Sequence, residues 1–213
     1  MGIERIGILG AGRAGTALAR VAAAEGVEVQ IASSRTPNMM KYHLAQYATK
    51  ARAVAAEDIA KDVQVVVLLV PQEDLDDIDP QTLAGIILVD ATNRWELEPI
   101  PDWFEEGLAA GLSSSSVIAR RFPGSRVVKA LNHISHWDLD AKKGHHRSAQ
   151  RALGIASDDM QAAEVVSELA RTLGFDPVIL ANLAAGRVLE PEGPIFNEVL
   201  DAVGLCKIIV QHG

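Results

Sequence analysis

Short apolar runs alternate with amphipathic stretches along the chain, and the alternation starts at once. Residues 3–9, with Ile3, Ile6, Ile8 and Leu9, read as a strand buried on both faces. Residues 13–25 carry Ala14, Leu18, Val21 and Ala22 at helical spacing. Residues 27–32 read as a second strand. Thr36 then stands where a helix N-cap belongs, with Pro37 at the first helical position, where its missing N–H costs nothing. That helix is predicted to run to about residue 49. A weak third strand covers 51–54, and the strongest covers 63–70, ending at Pro71 because proline cannot donate to a ladder. Residues 85–89 form the next strand and stop at Asp90. Residues 112–122 read as a helix closed by Pro123-Gly124, and 126–131 as a sixth strand.

Strands separated by helices predict the α/β class, with a Rossmann-type doubly wound parallel sheet over residues 1–140. Residues 141–213 repeat the pattern on a smaller scale, as a C-terminal α/β extension. It holds a strand at 152–156 and a helix capped by Ser157, with Asp158 and Asp159 against its positive end. Leu173-Gly174 closes that helix. A last strand follows at 175–180, then a helix at 195–210 with Ile195, Val199, Val203 and Val210 on or near one face.

Composition narrows the partners. The chain has 48% apolar and 23% charged residues, an ordinary globular balance. Its net charge of −8 argues against nucleic acid, which asks for a basic face. The longest apolar run, 65–70, falls far short of the ~20 residues a bilayer needs. Glu4, Arg5 and the interruption at Gly10 and Gly12 predict no signal peptide. Cys206 is the one cysteine, so no internal disulfide forms, and a cytoplasmic, reducing location is expected. On its apolar helix Cys206 reads as a small buried residue. The consecutive Ile208, Ile209 and Val210 make that helix more apolar than a lone edge helix requires, which predicts a homodimer.

The clearest motif is Gly10-Ala11-Gly12-Arg13-Ala14-Gly15, a full G-x-G-x-x-G between the first strand and the first helix. Gly10 permits the tight turn, Gly12 lets backbone approach a pyrophosphate, and Gly15 lets helix pack on strand. A glycine-rich turn without a ligand is the alternative. An NAD site wants an acidic residue about 20 positions on. This chain instead has Ser33, Ser34 and Arg35 after the second strand, which points to the 2′-phosphate of NADP. Arg35 as a solvated charge is the competing reading, and Lys41 is expected to face water.

Ligands of such sheets lie beyond the carboxyl ends of the strands. There, Val70 and Pro71 offer a neutral wall to the nicotinamide ribose, Asn93 a bond to ribose or carboxamide, and Ala130 room for a flat ring, with Asn132 beside it. Asp90 reads either as a cap for the next turn or as a functional group. His133 and His136 are possible linings of the acceptor site. His145 and His146 read as part of a basic loop. The four histidines match no zinc spacing, so no metal is expected. No acid–base dyad and no nucleophile triad is found.

With these residues in view, the chain from Ile6 to about Val199 resembles the NADP-dependent reductases of the deazaflavin coenzyme, coenzyme F-420. The parts are the Gly10–Gly15 loop, Ser34-Arg35, residues 67–71, Asp90-Ala91-Thr92-Asn93, residues 123–132, residues 187–191 and Gly193-Pro194-Ile195. The resemblance implies that Ala11 to Ala14, Ser34, Arg35, Val70, Asn93 and Ala130 touch NADP. It also implies that the C-terminal proline segment and the helix after it help cover a flavin-like ring. The cytoplasmic domains of six-transmembrane metalloreductases, which pass hydride from NADPH to a flavin, look similar too. Three departures lie near the acceptor pocket: Arg94-Trp95 where relatives have a proline and a small residue, His133 for threonine, and His136-Trp137 for small residues. Trp95 and Trp137 either stack on a ligand or lie half-buried under loops. The implied activity is hydride transfer between NADPH and a flavin or deazaflavin. The alternatives are reduction of a small carbonyl or imine, and a non-catalytic NADPH sensor.

Overall fold

A computed structural model describes residues 2–140 and 150–212; the basic loop with His145 and His146 lies outside them. Six parallel strands form one sheet in the order β3-β2-β1-β4-β5-β6. They are β1 (Arg5–Leu9), β2 (Glu28–Ala32), β3 (Arg52–Ala53), β4 (Val65–Leu68), β5 (Ile87–Asp90) and β6 (Arg126–Lys129). Most strands are shorter than the predicted run by a residue or more, because ladder pairing stops before the apolar pattern does, whereas β5 starts later than predicted and extends through Asp90, which pairs with Leu68 and Lys129. The chain reverses direction across the sheet between β1 and β4, which pair from Ile6↔Val65 to Leu9↔Leu68. That reversal opens the crevice in which such sheets bind ligands.

Both faces of the sheet are covered. Ile6, Ile8, Val65, Val67, Ile87, Val89 and Val128 point into one core with α1 (Arg13–Ala24) and α2 (Pro37–Tyr47). Val66, Leu68, Leu88 and Val127 point into the other, with Phe104 of α3 (Asp102–Ala109) and Val117 and Ile118 of α4 (Ser114–Arg121). This period-2 alternation inside continuous apolar runs is what a doubly covered parallel sheet requires. The sequence pattern gives no helix at 102–109; α3 forms on the turn after Pro101, with Phe104 as its buried anchor.

Short α5 (His136–Asp140) follows β6. Beyond it, β7 (Ala152–Ile155) and β8 (Asp176–Ile179) form a parallel pair, with α6 (Met160–Thr172) between them. An antiparallel bridge between Lys129 and Ala156 joins the pair to the main sheet, with N–H···O distances of 2.8 and 2.9 Å.

Three C-terminal expectations are corrected. Asp159 caps α6 by accepting from Ala162 N, while Ser157 bonds back to the Val127 carbonyl. The last helix, α7 (Ala202–His212), starts seven residues later than predicted, because turns at 193–198 reverse the backbone and Asn197 adopts φ 59°. On it, Leu205 is buried and Ile208 and Ile209 pack on the small C-terminal core, whereas Cys206 is exposed between Val203 and Val210. Among the described residues no helix is long and apolar enough to cross a membrane.

Candidate functional site

A cleft of about 990 Å³ runs across the carboxyl ends of β1, β2, β4 and β5. Its floor is the glycine loop. Gly10 has φ 118°, and a Cβ there would lie 2.2 Å from the Leu69 carbonyl oxygen. At Gly15 a Cβ would lie 1.8 Å from the Gly10 oxygen, so the turn and the helix touch backbone to backbone. Gly12 differs: a Cβ would meet no described atom within 4 Å, because the space above it is the cleft. Gly12 also caps α1 without a side-chain hydrogen bond, so the first-turn N–H groups remain for an anion.

At one end of the cleft, the loop after β2 is shaped by Ser33. Its hydroxyl accepts from Arg35 N at 3.1 Å and donates to Met40 Sδ at 3.2 Å. Ser34 and Arg35 are thereby presented, exposed, at the rim, near Arg13 of the glycine loop. Lys41 faces solvent and does not line the cleft. Met40, His43 and Tyr47 form a stripe of α2 on the same wall. His43 donates Nε2–H to the Ala11 carbonyl at 2.9 Å and its ring lies 4.8 Å from Tyr47, bracing the glycine loop from outside. The sequence reading missed this stripe, although the spacing 40, 43, 47 was its signal. The segment after Pro71 adds Asp74, Asp77 and Ile78 to the lining, and the segment after Trp95 adds exposed Glu98.

At the other end stand Val70, Pro71, Ala91, Thr92, Asn93 and Trp95. Asn93 is held in place: its Nδ2 donates to the Asn132 carbonyl at 2.9 Å, and Asn132 Nδ2 donates to Asn93 Oδ1 at 3.1 Å and to the Leu189 carbonyl at 2.6 Å. Asn132 therefore does not line the cleft; it ties the cleft rim to the C-terminal segment. Ala130, completely buried, does not line it either, because its backbone continues the ladder beside Asp90.

The expectation for His133 and His136 is corrected too. His133 is 1% exposed and lies away from the cleft lining, with Gly154 N–H donating to its Nε2 at 3.3 Å. Burial, reinforced by the charges of Arg151 and Lys129, pushes its pKa from 6.5 down to about 3. His136 stacks on Trp137 at 4.7 Å, outside the cleft, and Trp137 is 74% exposed. Of the aromatic departures only Trp95 reaches the cleft.

The residues fit a phosphorylated dinucleotide. Open space over Gly12, free first-turn amides, a guanidinium with two hydroxyls at one end and a braced carboxamide at the other match the successive parts of NADP. Fold and cleft thus define a Rossmann-type NADP-binding protein.

Comparison with known proteins agrees. The model of the family described as NADP oxidoreductase, coenzyme F420-dependent, matches residues 5–94. Metalloreductase STEAP3 of Rattus norvegicus is 32% identical over 188 residues, covering 87% of this chain. Metalloreductase STEAP2 of Homo sapiens is 33% identical over 108 residues, covering 51%. The chain spans 36% of the first and 19% of the second. The crystal structure of the protein SMa0349 from Sinorhizobium meliloti superposes with a TM-score of 0.78 at 30% identity, over 94% of this chain and 96% of that one.

Proposed function

We propose that the protein is an NADPH-dependent oxidoreductase that passes hydride between NADPH and the flat ring of a flavin or deazaflavin. One observation carries the reading: Val70, Pro71, Ala91, Thr92, Asn93 and Trp95 give the cleft a neutral face, while its carboxylates, Asp74, Asp77 and Glu98, come from the loops that follow Pro71 and Trp95. Reduction of a small carbonyl or imine asks for an acid at the heteroatom. Transfer from ring to ring asks for alignment and a dry surface, which neutral walls provide. The family match and the metalloreductase relatives support redox chemistry at this site.

In this reading Gly10, Ala11, Gly12, Arg13 and Ala14 hold the pyrophosphate, while Ser33 shapes the loop from which Ser34 and Arg35 take the 2′-phosphate. Val70 and Pro71 pack on the nicotinamide ribose, and Asn93, fixed by Asn132, orients the carboxamide. NADPH, when bound, supplies a hydride with its two electrons, becoming NADP⁺ as the acceptor ring is reduced and takes any further proton from solvent.

The test is NADPH oxidation, followed by absorbance, with a deazaflavin coenzyme, FMN and FAD as acceptors and NADH as the competing donor. Turnover with one of the rings, and much less with NADH, is the expected result. Binding of NADPH with no turnover of any ring would overturn the reading in favour of a sensor or a carbonyl reductase.

A further inference from the structure

The loop after β5 brings one large aromatic side chain to the cleft. Trp95 stands beyond the small neutral run Ala91, Thr92 and Asn93, separated from it by Arg94, whose guanidinium donates to the Trp95 carbonyl; it lines the same cleft and is 44% exposed. Its ring meets that of Phe196 nearly at right angles, with centroids 5.7 Å apart and planes at 79°. Phe196 belongs to the turn before α7, which is firmly held. Ile195 is buried and donates its N–H to the Val188 carbonyl at 3.1 Å, and Asn197 N–H donates to the His133 carbonyl at 3.1 Å. A fixed ring from the C-terminal segment thus sets the tilt of an indole that stands on irregular backbone.

A perpendicular pair uses one face or one edge of each ring, so at least one indole face is left uncovered by Phe196. An uncovered face at the rim of a cleft, next to a braced amide, is a surface for another π-system. We infer that Trp95 is the stacking face for a flat conjugated acceptor, with Phe196 as its positioning residue. The inference rests on the function proposed above and adds its selectivity: extended ring systems gain from the indole face, and small carbonyl compounds do not.

Two readouts test it. In steady state, Trp95→Leu raises the KM of the flavin or deazaflavin about tenfold, the loss of one stacked aromatic face, and raises the KM of NADPH much less. Trp95→Phe retains most of the affinity, and Phe196→Leu has a smaller effect than Trp95→Leu. Independently of turnover, titrating the protein with oxidised FMN or deazaflavin quenches its tryptophan emission, and Trp95→Phe removes that quenching while Trp103 and Trp137 still emit. An acceptor KM equal in wild type and Trp95→Leu, or an equal rise in both KM values, overturns the inference and leaves the proposed function standing. A wild type that neither binds nor reduces any of the rings overturns both.

Discussion

Asp90 and Lys129 are register partners at the carboxyl ends of β5 and β6, and their side chains form a 3.2 Å ion pair from which solvent is fully excluded. Lys129 Nζ also donates to the Thr92 carbonyl at 2.8 Å. Asp90 accepts from Thr92 N and Oγ1 at 3.0 and 2.7 Å and from Ser115 Oγ. The pair holds the turn that carries Thr92 and Asn93 into the cleft. Removing one partner strands a buried charge, so Lys129→Met is expected to cost about 3–5 kcal/mol. Adding Asp90→Asn should recover much of the loss. Urea midpoints of the single and double variants check this, and equal destabilisation by both would count against the pair as the source.

The three motif glycines separate into two kinds. Gly15 faces backbone, and a Cβ there would lie 1.8 Å from the Gly10 oxygen. Gly15→Ala should therefore destabilise the fold by about 3 kcal/mol or more through overpacking. Gly12 faces only the cleft. Gly12→Ala should leave the thermal midpoint nearly unchanged and weaken NADPH by about tenfold or more, since the methyl group occupies the pyrophosphate approach. Calorimetry and a binding titration on both variants distinguish the two roles.

The sheet and the glycine loop could be read from sequence because each rests on local information. A continuous apolar run marks a buried strand, and Gly15 marks a backbone contact with Gly10 within a span of six residues. Features that depend on partners far along the chain could not be read this way. Asp90 alone is an ambiguous strand-end acid, and only the β5–β6 register reveals Lys129 as its counter-ion. His133 follows β6, whose carboxyl end lies at the same side of the sheet as the cleft, yet the C-terminal pair β7–β8 packs beside it and buries it, with β7 supplying the Gly154 N–H. The apolar spacing of Ile195, Val199 and Val203 predicts one helix, but Ile195 is buried in a turn while Val203 is 63% exposed on α7. Periodicity there coincided with two separate elements.

Arg35 is exposed at the cleft rim, with its backbone N–H held by Ser33. A charge-assisted contact to the 2′-phosphate contributes about 1.5–3 kcal/mol. Arg35→Ala should then weaken NADPH roughly 10–150-fold and leave NADH, which lacks that phosphate, nearly unaffected. Equal losses for both nucleotides would remove the assignment. Because Arg35 is exposed, the NADPH affinity of the wild type should also fall with added salt, and the variant should show a shallower dependence.

His133 makes the fold sensitive to acid through a group outside the cleft. Gly154 N–H donates to Nε2, so the neutral ring carries its proton on Nδ1, and protonation at Nε2 would displace that bond. The folded-state pKa is depressed to about 3 against 6.5 for the free side chain, so between these values the unfolded chain binds more protons than the folded one. Stability from this group is complete above pH 6.5, falls as the pH drops toward 3, and declines no further below that. Within the window the slope is about 1.4 kcal/mol per pH unit for one fully differential proton. Urea denaturation from pH 7 to 4 should therefore show a steeper loss for the wild type than for His133→Gln. The variant keeps a side-chain acceptor for the Gly154 N–H but has no proton to gain. Parallel profiles for the two proteins would show that His133 does not govern acid stability.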